Sequence, residues 1–265
     1  MLDPFLKWAG GKRWLPCNYS QYFPSKYKRY IEPFLGGGAI FFSLQPSDAI
    51  LADVNAELIN AYQAIREYPE KIERLLNTYQ KMHSPDFYYR MRKRNRHNPI
   101  LRASKFIYLN KTCFNGLYRV NTNGEFNVPI GTKNNVKYEK GYLAQISFIL
   151  ASAKLVVSDF EPIIDNAKEG DFVYIDPPYT VMHNNNNFIK YNNPIFSWND
   201  QIRLSQCIRH ASDRGAKIML SNAAHKSVFK LYDKFGSHLN LKRRSVLAAS
   251  SSHRLLTDEL LIVNY

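Results

Sequence analysis

Residues 172–180 read FVYIDPPYT. Four apolar residues run into a carboxylate, two prolines and a tyrosine, so the chain stiffens where a strand gives way to a loop. A short apolar run that stops on polar or turn residues is how a buried parallel strand reads. Four other runs share the pattern: YIEPF (30–34), AILAD (49–53), LVVSDF (155–160) and KIMLSN (217–222). Helical patterns lie between and after them. NAELINAYQAIREY follows the second run, and NDQIRLSQCIRHASDRG puts Leu204, Ile208 and Ala211 on one face, with Asn199 and Asp200 as cap candidates and Gly215 as its close. Alternation of this kind predicts an α/β fold built on a doubly wound, mostly parallel sheet. HLNLKRRSVLAAS followed by DELLIVNY predicts an antiparallel terminal pair, and HNNNN (183–187) reads as a mobile loop. Residues from about 55 to 150 show a helical and then turn-rich pattern with no parallel strand, as an insertion between the second and third strands would.

The formal charge of +14 points to a polyanionic partner, and its placement says more than its size. Between residues 90 and 140 there are twelve bases, from Arg90 to Lys140, against two acids, Glu125 and Glu139. A solvated helical face brings acids along as i, i+4 partners, and here they are missing. Aromatic and amide side chains interleave the bases in KFIYLNKTCFNGLYRVNTNGEFNVPIG, which suits phosphates and base edges better than lipid. Cys17, Cys113 and Cys207 are too few and too scattered for a disulfide framework or a metal cluster, and the histidines lack ligand spacing. No apolar run approaches the ~18 residues of a membrane span. Asp3, Lys7 and Gly10 stand where a signal peptide would be apolar, so the expected setting is soluble, intracellular and cytoplasmic.

In open α/β sheets ligands bind beyond the carboxyl ends of the strands, and three features fall there. In EPFLGGGA (32–39), Gly36, Gly37 and Gly38 allow a ligand to approach backbone that a Cβ would obstruct, although a tight turn explains the same glycines. Asp53 ends the next strand, where a carboxylate accepts two hydrogen bonds from a ribose diol or caps the following helix. Asp176 is followed by Pro177, whose carbonyl has no donor beside it, and Tyr179 adds an aromatic face. One carboxylate, one carbonyl and one ring suit an exocyclic amine on a base.

With these residues in view, the chain resembles the DNA adenine-N6 methyltransferases of the Dam type, which use S-adenosylmethionine. PFLKWAGGK (4–12) is similar to the family's N-terminal cofactor motif, EPFLGGG to its FxGxG loop, ILAD to its acidic second strand, and NKTCFNGLYRVNTNGEFNVPIG (110–131) to its target-recognition hairpin. DPPY matches its catalytic motif and the RRS…DELL tail its closing strands. The resemblance implies a Rossmann-like catalytic domain from 1–54 and 151–265, and an inserted, mainly helical recognition domain with a β-hairpin from 55–150. It implies cofactor contacts at Trp8, Lys12, Phe34, Gly36, Gly38, Asp53, Asp159, Phe160 and Asp176, and catalysis by Asp176, Pro177 and Tyr179. Lys7, Asn115, Leu117 and Arg119 match positions that contact DNA or read bases, Phe114 one that wedges into the opened duplex, and Arg92 one that contacts phosphate. Thr132 and Lys133 depart from the basic–aromatic pair that follows the hairpin in GATC readers.

The implied activity is methyl transfer from S-adenosylmethionine to N6 of an adenine flipped out of double-stranded DNA, at GATC or a related short palindrome, by a monomer without a metal. Methylation of cytosine N4 and a catalytically silent DNA-binding regulator are the alternatives.

Overall fold

The computed structural model describes residues 2–95, 97–182, 196–244 and 256–265. Strands β1 (Tyr30–Glu32), β2 (Ala49–Asp53), β3 (Ala153–Val157), β4 (Phe172–Ile175), β5 (Lys217–Ala223), β6 (Ser237–Arg244) and β7 (Leu256–Val263) form one sheet in the order β3-β2-β1-β4-β5-β7-β6. β1 runs parallel to β2 and β4, and β4 parallel to β5, whereas β7 is antiparallel to β5 and β6. This is the mostly parallel sheet with an antiparallel terminal pair that the apolar runs predict. The chain order reverses between β1 and β4, which makes their carboxyl ends the switch point where such sheets bind ligands.

The helices are α1 (Trp14–Asn18), α2 (Ala39–Leu44), α3 (Ala56–Glu67), α4 (Pro69–Met82), α5 (Pro85–Lys93), α6 (Pro99–Thr112), α7 (Tyr142–Leu150), α8 (Phe160–Asp165), α9 (Trp198–Asp213) and α10 (Lys226–Leu231). Three details of the sequence reading are corrected. The third strand stops at Val157, because the Asp159 carboxylate accepts the Glu161 N–H and starts α8 where LVVSDF suggested continued strand. Helix α9 is capped by Ser197 instead of Asn199 or Asp200: Ser197 Oγ accepts from Asp200 N–H while the Asp200 carboxylate accepts from Ser197 N–H, a reciprocal capping box. Helix α3 is capped by Asn55, and Asp53 acts one step earlier by accepting the Asn55 N–H at 2.9 Å. The HNNNN segment lies outside the described residues.

Two compact units make up the chain. The first comprises Met1–Arg13, Leu35–Ser47 and Asp53–Val157. Its core joins Phe5, Phe42 and Tyr62 with a second aromatic group of Tyr79, Phe87 and Tyr108. Proline at the start of α4, α5 and α6 presets the first helical φ where no amide partner is needed. Residues 113–131 form a hairpin-like loop held by two antiparallel bridges, Cys113↔Ile130 and Val120↔Phe126, in place of a continuous ladder.

The second unit comprises Trp14–Phe34, Asp48–Ala52 and Ser158–Tyr265. Ile31, the whole of β4, and Ile218, Met219 and Leu220 of β5 are buried, as strands covered on both faces require. Phe23, Tyr27, Tyr30 and Tyr265 pack their rings about Phe172 and fix the start of β4.

Candidate functional site

In the first unit, the glycine loop and the acid after it build one cradle. Asp53 Oδ2 accepts the Gly36 N–H at 3.0 Å and its Oδ1 accepts from Asn55. Each oxygen keeps a further lone pair, so the carboxylate can accept two O–H donors as a ribose diol presents them. Burial pushes the Asp53 carboxyl above its usual range, and the two amide bonds oppose that rise. Gly36 sits at φ +47°, and a Cβ there would come within 2.6 Å of the Trp8 indole, so the position needs glycine twice over. Trp8 stacks on Tyr118 at 5.7 Å and 20°, and Tyr62 Oη donates to the Gly36 carbonyl at 3.1 Å. Gly38, at φ +66°, opens α2. Lys12 is buried and donates to the Gly10 carbonyl.

The residues of this unit expected to contact DNA gather on the 113–131 loop and its supports. Phe114, Asn115 and Arg119 are exposed and Leu117 is half-buried. Asn115 adopts φ 55°, which turns the loop sharply as it leaves α6. Arg119 donates to Asn127 Oδ1 at 2.7 Å, and Arg92 reaches the Val128 carbonyl at 3.2 Å, so both guanidiniums brace the hairpin. Asn110 was passed over in the sequence: its side chain accepts the Lys7 N–H and donates to the carbonyls of Lys7 and Gly116, clamping the N-terminal motif to the loop. An amide among the apolar residues of a helix was its only signal. Burial lowers the Lys7 ammonium, and the charge of Lys133 lowers it further. Burial also pushes Lys111 down to about 8, again with Lys133 contributing. The departure noted at Lys133 therefore sets a basic cluster beside the loop.

In the second unit, Asp176 follows β4 directly, with Pro177 buried and Tyr179 half-buried. Burial comes first in raising the Tyr179 phenol well above its ordinary range, followed by the nearby charges of Asp176 and Glu259. The phenol therefore lies close to Glu259 of β7. Nearby, Tyr174 Oη meets Ser221 Oγ at 3.2 Å, with both groups buried. Glu259, only 2% exposed, was legible in DELL only as an acid in an apolar strand. The Thr180 hydroxyl donates to the Phe196 carbonyl at 2.7 Å, tying the end of this segment to an aromatic cluster. There Phe34 stacks on Phe160 at 5.4 Å and Phe196 meets both edge-on. Asp159 lies beside Phe160 as the α8 cap, and Arg203 of α9 grips it through Nη1 at 2.9 Å and Nη2 at 3.0 Å.

The predicted residues therefore fall into four assemblies: Trp8 with Gly36 and Asp53, Lys7 with the 113–131 loop, Asp176 with Tyr179, and Phe34 with Asp159 and Phe160. Among the described residues no group of His, Cys, Asp or Glu is placed to hold a metal ion, and no helix is long and apolar enough to cross a membrane.

Comparison with known proteins bears on the same residues. The chain is 38% identical to the Type II methyltransferase M1.LlaDCHI of Lactococcus lactis subsp. cremoris, covering 100% of this chain and 96% of the relative. It is 36% identical to the Type II methyltransferase M.MjaIII of Methanocaldococcus jannaschii, over 100% and 99%. It is 30% identical to the DNA adenine methylase of Escherichia coli K12, over 97% and 93%. Residues 8–246, from Trp8 to two positions past β6, match the family described as D12 class N6 adenine-specific DNA methyltransferase, and the chain belongs to that family.

Proposed function

We propose that the protein methylates N6 of an adenine flipped out of duplex DNA, with S-adenosylmethionine as donor, at GATC or a related short palindrome. The observation that carries this reading is the Asp176–Pro177–Pro178–Tyr179 segment held rigidly at the carboxyl end of a buried parallel strand. Family membership supports the target atom.

The residues present fit the cofactor. The glycine at 36 keeps clear the space beside Trp8 that a Cβ would fill, and Asp53 retains one acceptor site on each oxygen. Trp8, Lys12, Gly36, Gly38 and Asp53 would hold the sugar and amino-acid parts, and Phe34, Asp159 and Phe160 the adenine. When bound, the cofactor supplies an electrophilic methyl group on a sulfonium.

The chain's own groups do the rest. An adenine amine is a poor nucleophile because its lone pair is delocalised into the ring. Asp176 and the Pro177 carbonyl accept its two N–H bonds, which favours a tetrahedral nitrogen and localises the pair. The Tyr179 ring stacks on the extruded base and offsets the few kcal/mol, roughly, that unstacking costs. Asp176 then takes the proton, directly or through water. This is positioning with electrostatic assistance, and no covalent enzyme intermediate is required. Lys7, Asn115, Leu117 and Arg119 would read the bases, Phe114 would wedge into the gap, and Arg92 would meet phosphate.

Incubation of the protein with labelled S-adenosylmethionine and plasmid DNA, followed by nucleoside analysis, tests the reading. N6-methyladenine in one short sequence is expected. N4-methylcytosine, or DNA binding without incorporation, would overturn it.

A further inference from the structure

Arg203, one turn into α9, is tied to three carboxylates at once. Nη1 donates to Asp159 Oδ1 at 2.9 Å and to Glu161 Oε2 at 2.7 Å, while Nη2 donates to Asp159 Oδ2 and to Asp200 Oδ1, each at 3.0 Å. Its guanidinium carbon lies 4.3 Å from the centre of the Phe160 ring. Asp159 is thus held bidentately, in the planar geometry that only a guanidinium supplies.

Stability alone does not account for this arrangement. Arg203 is 36% exposed and its three acids between 31% and 41%, a range in which ion pairs contribute about 0–1 kcal/mol each. The contact between α8 and α9 already has an apolar basis in buried Phe160, Ile164, Leu204 and Ile208. Helix α8 needs from Asp159 only the bond to Glu161 N–H, at 2.9 Å. The fork adds something else, a fixed carboxylate plane with most of its acceptor sites assigned. An ionised carboxylate has about four lone-pair sites. Here Oδ1 accepts from Arg203 and from Glu161 N–H, and Oδ2 accepts from Arg203, which leaves one in-plane site on Oδ2.

We propose that Arg203 is the positioning residue for recognition of the cofactor's adenine: it fixes Asp159 so that the one remaining site on Oδ2 accepts an N–H from the exocyclic amine, beside the ring of Phe160. The inference rests on the cofactor reading above and extends it to selectivity. A base with a carbonyl in place of the amine would turn an acceptor toward that site, so the arrangement selects adenine over hypoxanthine. Without the fork only the Glu161 N–H holds Asp159, the carboxylate plane can turn about that one bond, and the selection is lost even though the acid remains.

The test uses the full chain and two ligands, S-adenosylhomocysteine and its deaminated analogue S-inosylhomocysteine, with affinities measured by calorimetry. The native protein is expected to prefer the adenine ligand by about tenfold or more, the equivalent of one hydrogen bond against an opposed acceptor. In Arg203→Met and Arg203→Lys the preference should fall to within about threefold, mainly through weaker binding of the adenine ligand. Lysine should not rescue it, because a point charge cannot hold the plane. In turnover assays KM for the cofactor should rise far more than kcat falls, and Asp159→Asn combined with Arg203→Met should lose no more selectivity than either change alone. An Arg203→Lys protein that keeps the native preference while its melting temperature drops would make Arg203 a structural residue and overturn the proposal. If Asp159→Asn abolishes the preference and neither Arg203 variant does, the cofactor reading stands and only the role of Arg203 falls. If the native protein does not discriminate between the two ligands, the placement of adenine at Asp159 fails first.

Discussion

The segment after β4 and the loop after α6 carry the two halves of the proposed activity, and they are built in opposite ways. Residues 176–180 are few and mostly inward-facing: Pro177 is buried, the Tyr179 phenol lies close to the Glu259 charge, and Thr180 is bonded to the Phe196 carbonyl. Residues 113–131 are long, with Phe114, Asn115, Arg119 and Val120 exposed and only two isolated bridges across them. Supports from outside the loop hold it, chiefly Arg92 and Asn110. Each construction suits its proposed task. Transfer to an amine needs fixed acceptors in a dry setting, where they cost no reorganisation during reaction. Reading a base sequence needs side chains in the open, whose exchange re-aims specificity without disturbing a core.

That contrast can be broken by experiment. If chemistry resides after β4, Asp176→Ala should lower turnover by about a thousandfold or more while cofactor and DNA affinities stay within a few-fold. Single-turnover methylation beside equilibrium binding checks this, and retained activity would remove Asp176 from its role. Arg119→Ala should give the reverse pattern: turnover on the best site largely kept, and discrimination at one guanine lost by about 1–3 kcal/mol, read by methylation across single-base variants of the site. A uniform loss of affinity with specificity intact would count against base reading by Arg119.

Gly131 tests whether the loop has its own anchorage. Its N–H donates to the Thr112 carbonyl at 2.8 Å, and a Cβ there would sit 2.6 Å from the Cys113 carbonyl oxygen, a backbone atom with little room to move. Gly131→Ala should therefore lower stability by about 1–3 kcal/mol, through overpacking at the base of the loop. Chemical denaturation measures it, and an unchanged midpoint would show a looser closure than described.

The smallest expected effect concerns pH. Lys111 has its folded value lowered by burial to about 8 from 10.5, so between these values the unfolded chain holds a proton that the folded one has released. Stability from this group is therefore at its lowest below pH 8 and is gained as pH rises toward 10.5. Lys111→Met should remove that part of the rise in melting temperature, and identical pH slopes in the two proteins would refute the assignment.

Much of the strand framework that carries the proposed catalytic segment was legible in the sequence because local patterns specify it. FVYID and KIMLSN read as buried strands, and DPPY announces its acceptors, since proline restricts backbone wherever it stands. The 113–131 loop was harder to read. KTCFNGLYRVNTNGEFNVPIG looks like a hairpin, yet glycine and asparagine weaken the ladder, and only bridges form. At α9, Asp200 marked the right turn of chain, but the box that closes it depends on Ser197, two residues before the first acid-amide candidate.

The succession of strands and helices along the chain, the local excess of base, and the types of residue at the strand ends are written locally, because periodicity, charge and proline act within a few residues of chain. Only the folded chain brings Asn110 to clamp Lys7 to the loop, the Glu259 charge close to Tyr179, and Arg203 onto Asp159 from 44 positions away. Each of these side chains gains its role from a partner brought near only by folding. A carboxylate or guanidinium on one element carries no mark, in its own stretch of sequence, of the plane it will be made to share.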